Sequence, residues 1–424
     1  MRMKRYEQYK PTGISWLPEI PAHWDTMRIR GLFKESIEKT VDDSGTLLSL
    51  SQYTGVSLKS EAGKTGMFEA ESTTGYKIVH PGQFVMNIML AWNGSYAVSD
   101  LEGIISPAYC VFDFRIPCVK RYFDYLLRTK IYSGAFKTQS RGIIDSRLRL
   151  YPNKFYSFKA IVPPIEEQEK IVAFLDKKIT LIESCKCQRE RELQTLNELK
   201  QAEIASVVTR GLNHNVPMKD SGIFWQPLIP ENWTVTKLKH VLSKLDRPRQ
   251  PEDELLVCSN SGEVKKRGDS KLGLVADSDE IYQGVRRGDL LIHGMDTWHG
   301  AIAVSDYYGM CTPVVHVCDS TQNKRYIALY LRNMANQKVF KLISNGVRQN
   351  TSDFRSWGKV GTILIPIPPI EEQDAIVEYI ESKNSKIDKM IEALTAEIER
   401  LTEYKQRLIS DVVTGQLNVQ DETA

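Results

Sequence analysis

The sequence predicts an α+β chain. Two mixed, mostly β domains are joined by two long helices that form an antiparallel coiled coil, and the whole is a pseudo-twofold internal repeat. Three observations predict this. A helical stretch occurs twice, opening PPIEEQEKIVAFLDKK at Pro163 and PPIEEQDAIVEYIESK at Pro368. The copies close NELKQAEIASVVTRGLN and TEYKQRLISDVVTGQLN, at a constant offset of 205 residues. Ahead of each helix the same short anchors recur: GISWLPEIPAHW at 13–24 returns as GIFWQPLIPENW at 222–233, and WNGSYAVSD at 92–100 as WHGAIAVSD at 298–306. Between those anchors the two halves diverge strongly. A repeat of this kind sets the architecture before any finer reading. It gives a first domain at 1–162, a first spacer helix at 163–213, a second domain at 214–367, and a second spacer helix with a polar tail at 368–424.

Each repeated stretch reads as one helix. Two prolines stand at the entry, where a lost N–H is no loss. Glu166 and Glu167, or Glu371 and Glu372, follow in the first turn, where carboxylates suit the positive end of the helix dipole. Apolar residues then recur at steps of three and four: Ile387, Ile391, Leu394, Ile398, Leu401, Leu408 and Val412. That is a coiled-coil seam. Its counterpart, Ile182, Leu193, Leu196 and Val207, is interrupted by Lys186, Arg189, Lys200 and Glu203. Lys200 and Lys405 fall at equivalent seam positions. Gly211 and Gly415 mark the C-terminal breaks. About 45 residues at 1.5 Å rise make roughly 65 Å of helix.

Inside the domains, β-branched and aromatic runs between turn residues predict strands at 46–51, 83–90 and 155–162 in the first half. Their matches are 255–259, 289–293 and 360–367. One amphipathic helix is expected in each half, near 120–131 and 324–336. Six of the seven tryptophans pair between halves: Trp16 with Trp225, Trp24 with Trp233 and Trp92 with Trp298. Trp16 and Trp24 are expected in the core.

Composition narrows the function classes. The apolar fraction, 42%, is ordinary for a globular chain of 424 residues. No run of about 18 apolar residues suggests a membrane span. The basic N-terminus lacks the apolar core of a signal peptide. Seven cysteines without CxxC spacing fit a reducing compartment, so a cytoplasmic location is expected. Net charge is only +3, yet the segments carry +7, −1, +4 and −7 in chain order. If a polyanion binds, it binds the globular halves.

No glycine-rich phosphate loop is present. PPIEEQ does not fit the [DN]PP[YF] of amino-methyltransferases, since it lacks both the leading amide or carboxylate and the stacking aromatic. His293, Asp296 and His299 crowd together, as a polar loop beside a strand or, less simply, a metal site. Cys311, His316 and Cys318 read as buried strand residues. The chain is therefore expected to be no enzyme, with no catalytic residue, metal or cofactor of its own.

The residues that could read a base or hold a phosphate lie on matched loops. Trp92 and Trp298 each follow a strand and precede a glycine turn. They can anchor the loop to the core while it presents Asn93, Ser95 or His299 to a base edge. Gln52 and Tyr53, and Asn260 in the second half, lie in the turns after the strands at 46–51 and 255–259. Arg141, Arg147 and Arg149 crowd the segment before the last strand of the first half, and Arg348, Gln349 and Asn350 the matching segment of the second. Arginine reads guanine bidentately, and asparagine or glutamine reads adenine. Lys265, Lys266 and Arg267 form a basic stretch suited to phosphates. A solvated charged loop is the plainer reading of any one of these.

These motifs resemble a known family, the specificity subunits of type I restriction–modification enzymes. PPIEEQ at each helix entry, VVTGQLN at the second helix end and GISWLPEIPAHW near the start carry the resemblance, which spans essentially the whole chain. It implies that the domains are target-recognition domains, each reading one half of a split double-stranded DNA target. It also implies that the helices pack antiparallel as a spacer and dock two methyltransferase subunits, with restriction subunits added for cleavage. S-adenosylmethionine, ATP and Mg then belong to the partners. The chain departs from the pattern in LIPENW for EIPAHW and in its more polar first seam. A stand-alone DNA-binding or inhibitory protein imitating the subunit, and a nuclease or methyltransferase with an unfamiliar site, are the other classes.

Overall fold

A computed structural model describes residues 4–61, 72–142, 148–268, 281–344 and 354–420. The chain forms two compact units, Met1–Arg189 with Ala396–Ala424, and Glu190–Thr395. Each unit thus holds one globular domain, part of one long helix and the complementary part of the other.

The first unit is built on a four-stranded antiparallel sheet, in the order Phe33–Glu35, Tyr109–Phe114, Phe84–Asn87, Tyr96–Val98. Side chains alternate across a strand, and both faces are covered. Phe33, Phe84, Tyr96 and Phe112 enter one core with Phe155 and the helices. Val85, Ala97 and Val111 enter another, closed by Leu48 and Leu50. Burial on both faces explains why the central strand is apolar at nearly every position. The second unit repeats the plan. Ser243–Lys244, Val315–Asp319, Leu290–His293 and Ile302–Val304 form its sheet. Leu290, Ile292 and Ile302 face one core, and Leu291, Ala303 and Val317 the other.

The expected strands are present but shorter. Asn87 ends its strand by accepting the Met89 N–H on its own side chain at 3.0 Å. The stretch 155–162 begins as a helical turn, Pro152–Phe155, with proline at its first position, and the strand is only Lys159–Val162. In the same way Trp357–Val360 is helical and Leu364–Ile367 is the strand. The helix expected at 120–131 is two helices, Lys120–Leu127 and Lys130–Gln139, because Thr129 caps the second. Its match, Lys324–Asn336, is continuous to the expected bounds.

The long helices run Ile165–Arg210 and Ile370–Val413. In the first unit Glu183 meets Lys405 at 2.6 Å and Arg189 meets Glu397 at 3.0 Å, so the segments run antiparallel. In the second, Lys200 meets Asp388 at 2.5 Å, and Tyr379 donates to Glu203. The two seam lysines therefore answer matched carboxylates on the facing helix. No helix of the described residues is long and apolar enough to cross a membrane.

The recurring motifs meet at one joint, built once in each unit. Trp24 and Trp233 are fully buried. The Trp24 indole N–H donates to Glu167 at 2.9 Å, and that of Trp233 to Glu372 at 3.1 Å. Gln168 donates to the Pro163 carbonyl and accepts the Val119 N–H, while Gln373 does the same with Pro368 and Asn323. Tyr122 O–H donates to Val413 and Tyr326 O–H to Val208, at the far ends of the helices. Gly415 has φ 73°, and a β-carbon there would lie 2.4 Å from Pro21 and 3.0 Å from Trp24. PPIEEQ, the paired tryptophans and VVT are thus one latch between domain and helices.

Candidate nucleic-acid interface

Each domain places a hairpin turn beside a tryptophan loop. In the first half the hairpin is Leu48–Ser51 with Gly55–Leu58, and Gln52 and Tyr53 lie in its turn. Tyr53 is 83% exposed. The tryptophan loop is a short 3₁₀ turn, Ala91–Asn93, closed by Gly94 at φ 97°. A β-carbon on Gly94 would stand 3.9 Å from that of Gln52, so turn and loop are neighbours. Trp92 is anchored by its N–H to the Met89 carbonyl at 3.1 Å and lies under Lys137, whose Nζ is 5.2 Å from the ring.

The second half repeats the arrangement with other residues. Its hairpin is Leu256–Cys258 with Val264–Lys266, and Asn260 stands exposed in the turn. Thr297–His299 is the matching 3₁₀ turn, and a β-carbon on Gly300 would lie 3.7 Å from the Asn260 carbonyl oxygen. Lys341 Nζ sits 5.6 Å from the Trp298 ring. His299 is exposed, while the Trp298 N–H is buried and, among the described residues, without a partner.

A third segment reaches the same place. Arg141 and Arg149, both exposed, bond through their backbones in both directions at 3.0 and 2.9 Å. Leu150 N–H then donates to Ile88, just before the tryptophan loop. In the second half Phe354 N–H donates to Gly294, in the matching position. Arg147, Arg348, Gln349 and Asn350 lie outside the described residues. The fold therefore gathers Gln52, Tyr53, Trp92, Asn93, Arg141 and Arg149 on one domain, and Asn260, Trp298 and His299 on the other.

Two expectations change in detail. Ser95 is 3% exposed, and its hydroxyl donates to Asn93 at 3.1 Å, so it braces the loop from inside. Lys265 and Lys266 sit at the end of a strand and already pair with Glu263 at 2.8 Å and Glu254 at 2.7 Å. The hairpin brings those carboxylates alongside. Exposed pairs of this kind contribute only about 0–1 kcal/mol, so a phosphate can displace the carboxylate. Arg267, half-buried, follows the strand. His293 accepts the Asp296 N–H at 3.1 Å, which makes it a loop brace. Burial pushes its pKa down, against the pull of Asp296. Among the described residues no group of three His, Cys, Asp or Glu side chains could hold a metal ion. Cys311, His316 and Cys318 are buried on strands, and burial raises both thiols to about 12.

The residues that sequence reasoning passed over stand behind the turns. Arg128 donates to the carbonyls of Gln52 and Tyr53, and Arg332 lies against Gly262. Their shared spacing from Tyr122 and Tyr326 was the available signal.

No protein-family model matches the chain. It is 24% identical over 282 residues to the EcoBI type I restriction enzyme specificity subunit of Escherichia coli, covering 61% of this chain and 58% of that one. The chain so matches less than two thirds of that relative's length. It is 23% identical over 360 residues to the MjaVIII specificity subunit of Methanocaldococcus jannaschii, covering 79% and 80%. In structure it resembles a chain solved in work on assembly and conformational transition of a type I restriction–modification system. There the TM-score is 0.69 at 15% identity, over 94% of this chain and 99% of the other. The chain is thus similar in sequence to specificity subunits of type I restriction enzymes and shares the fold of a chain solved in work on a type I restriction–modification system.

Proposed function

We propose that this chain is the non-catalytic, sequence-specific DNA-reading subunit of a type I restriction–modification complex. Each globular domain reads one half of a bipartite duplex target. The single observation that carries this reading is the turn-and-loop pair built twice on one frame. The frame recurs in its fold, while the tip residues, Gln52, Tyr53 and Asn93 against Asn260 and His299, differ. One scaffold with two different tips is what two different half-sites require.

The mechanism follows from the side chains. Lysines and arginines of the two basic domains bind phosphates and set register without reading sequence. Gln52, Asn93, Asn260 and His299 then address base edges, with Arg141 and Arg149 beside the first pair. Outside the described residues, Arg147, Arg348, Gln349 and Asn350 remain proposed readers. The helices share their PPIEEQ entries and VVT ends, which suits two copies of one partner, so we assign them the docking of two methyltransferase subunits, with restriction subunits joining that assembly. Those partners supply S-adenosylmethionine, ATP and Mg chemistry, and the complex works on DNA in the cytoplasm.

Expression of the chain with its cognate methyltransferase subunit, followed by genome-wide mapping of methylated adenines, tests this. The expected motif has two short specified halves around an unspecified spacer. A continuous motif, or none, would overturn the reading.

A further inference from the structure

The two halves differ at a pair behind the reading turn, a buried carboxylate and a half-buried guanidinium. Arg128 follows the helix Lys120–Leu127, and its Nη2 donates to the carbonyl oxygens of Gln52 at 3.0 Å and Tyr53 at 3.3 Å. Its Nη1 lies 3.7 Å from the Asp124 carboxylate. The Asp124 side chain is 6% exposed and accepts the Val98 N–H of the sheet's edge strand at 2.9 Å. A chain of polar contacts thus runs from the sheet, through a carboxylate and a guanidinium, to the backbone of the turn.

The second half keeps the frame and loses the carboxylate. Val304, Ala328 and Arg332 stand where the first half has Val98, Asp124 and Arg128. Among the described residues Arg332 makes no hydrogen bond or close ion pair, and burial lowers its pKa against the attraction of Cys258 and Glu263. A cleft of 460 Å³ opens there, with Val304, Ala328, Arg332, Gly262 and Lys265 on its walls.

We propose that Arg128 and Asp124 are the positioning pair of the first reading turn, and that the second turn lacks one because Ala328 replaces the carboxylate. A guanidinium spreads five donors over a rigid plane wide enough to reach two carbonyls and a carboxylate together, which the compact ammonium of lysine does not match. A turn held in this way loses less freedom when it meets a base edge. The consequence for target choice rests on the DNA-reading assignment above, whereas the latch itself does not.

Hydrogen exchange on the full chain tests the latch directly. In Arg128→Lys and Asp124→Asn, amides of residues 51–55 should exchange about tenfold faster, as expected for one lost charge-assisted hydrogen bond. Residues 259–263 should not change. Ala328→Asp should slow 259–263 instead, by installing the missing carboxylate. Unchanged exchange at 51–55 in Arg128→Lys would overturn the proposal. If Asp124→Asn fails to fold, the Arg128→Lys and Ala328→Asp arms decide. Methylation mapping of Arg128→Lys should then show one half-site relaxed and the other intact, which a merely structural loss would not produce. If exchange rises but the unsubstituted chain directs no split motif, the latch stands and the DNA-reading assignment falls. If the motif is split but both halves stay equally selective, the claimed role in target choice is overturned.

Discussion

At the joint between domain and helices, the two halves of this chain are almost interchangeable. Glu167 holds Trp24 as Glu372 holds Trp233, and Gln168 and Gln373 make the same two bonds. At the reading turn they are not. Gln52-Tyr53 faces Asn260 across the repeat, and a buried Asp124 faces Ala328. Trp24, Trp233, Gln168 and Gln373 are buried at the joint, so each buried N–H must find a partner, and few residues fit. Tyr53 and Asn260 are exposed at the turns, so they carry no such demand and can differ. Repetition in the sequence is therefore strongest at the joint, and it weakens at the turns proposed to read DNA.

The largest effects should come from breaking the joint. Trp24→Ala and Trp233→Ala should each cost about 3–5 kcal/mol, as for other fully buried tryptophans. Denaturant unfolding of the full chain would measure it. Near-equal losses support one joint built twice, and a loss below about 1 kcal/mol at either site would break the comparison.

Next come the carboxylates. Glu167→Ala and Glu372→Ala each leave a buried indole N–H unpaired, at a cost of about 1–3 kcal/mol. Glu167 also accepts from Tyr6 at 3.1 Å and His23 at 2.5 Å, whereas among the described residues Glu372 adds only Asn232 at 3.2 Å. The first substitution should therefore cost more. The reverse order in the same unfolding measurement would mean that the extra partners add nothing.

Acid should separate the halves further. Burial in the second half lowers the pKa of His293 and of His316 below the ordinary 6.5. The first half has Asn87 and Cys110 at those positions. Because the folded values are the lower ones, the unfolded chain takes up more protons as pH falls through 6.5. Stability from this pair is complete above pH 6.5 and declines below it, toward the folded values. Hydrogen exchange resolved by unit, followed from neutral pH downward, should show the second unit weakening through this pair. A His293→Asn, His316→Cys chain that keeps the same acid loss would contradict this origin.

The smallest effect on stability belongs to the turns. Replacing Lys265, Lys266 and Arg267 with alanine should change unfolding by less than about 0.5 kcal/mol each. DNA affinity should instead lose salt dependence, by about 0.9 in log–log slope for each phosphate contact removed. An unaltered slope would take this strand out of the interface.

Much of this was legible in the sequence. The helix entries at Pro163 and Pro368 and the exits near Gly211 and Gly415 needed only proline, glycine and a seam of three and four. The strand starts were misread at Phe155 and Val360, since an apolar run looks the same in a helical turn as in a strand. What the sequence hid was which motifs meet. Trp24 and Glu167 are 143 residues apart, and no local period reveals their bond. Within the candidate interface, neighbourhood was hidden in the same way. Gln52 and Gly94 approach only because the hairpin folds over the sheet edge. Ser95 reads as a polar loop residue, and it does precede the strand Tyr96–Val98, yet it is buried there. Arg128 lies in a stretch without an obvious anchor, and its importance shows only through the two carbonyls that it reaches.

The claim that one frame carries two independent reading tips is tested most directly by methylation mapping of two variants. One carries Gln52→Ala with Tyr53→Ala, and the other Asn260→Ala with His299→Ala, each expressed with the cognate methyltransferase subunit. The account predicts that each variant relaxes a different half of a split motif, by about 1–3 kcal/mol of discrimination per lost bidentate contact, and leaves the other half and the spacer as they were. Relaxation of both halves by either variant, or of the same half by both, would contradict it.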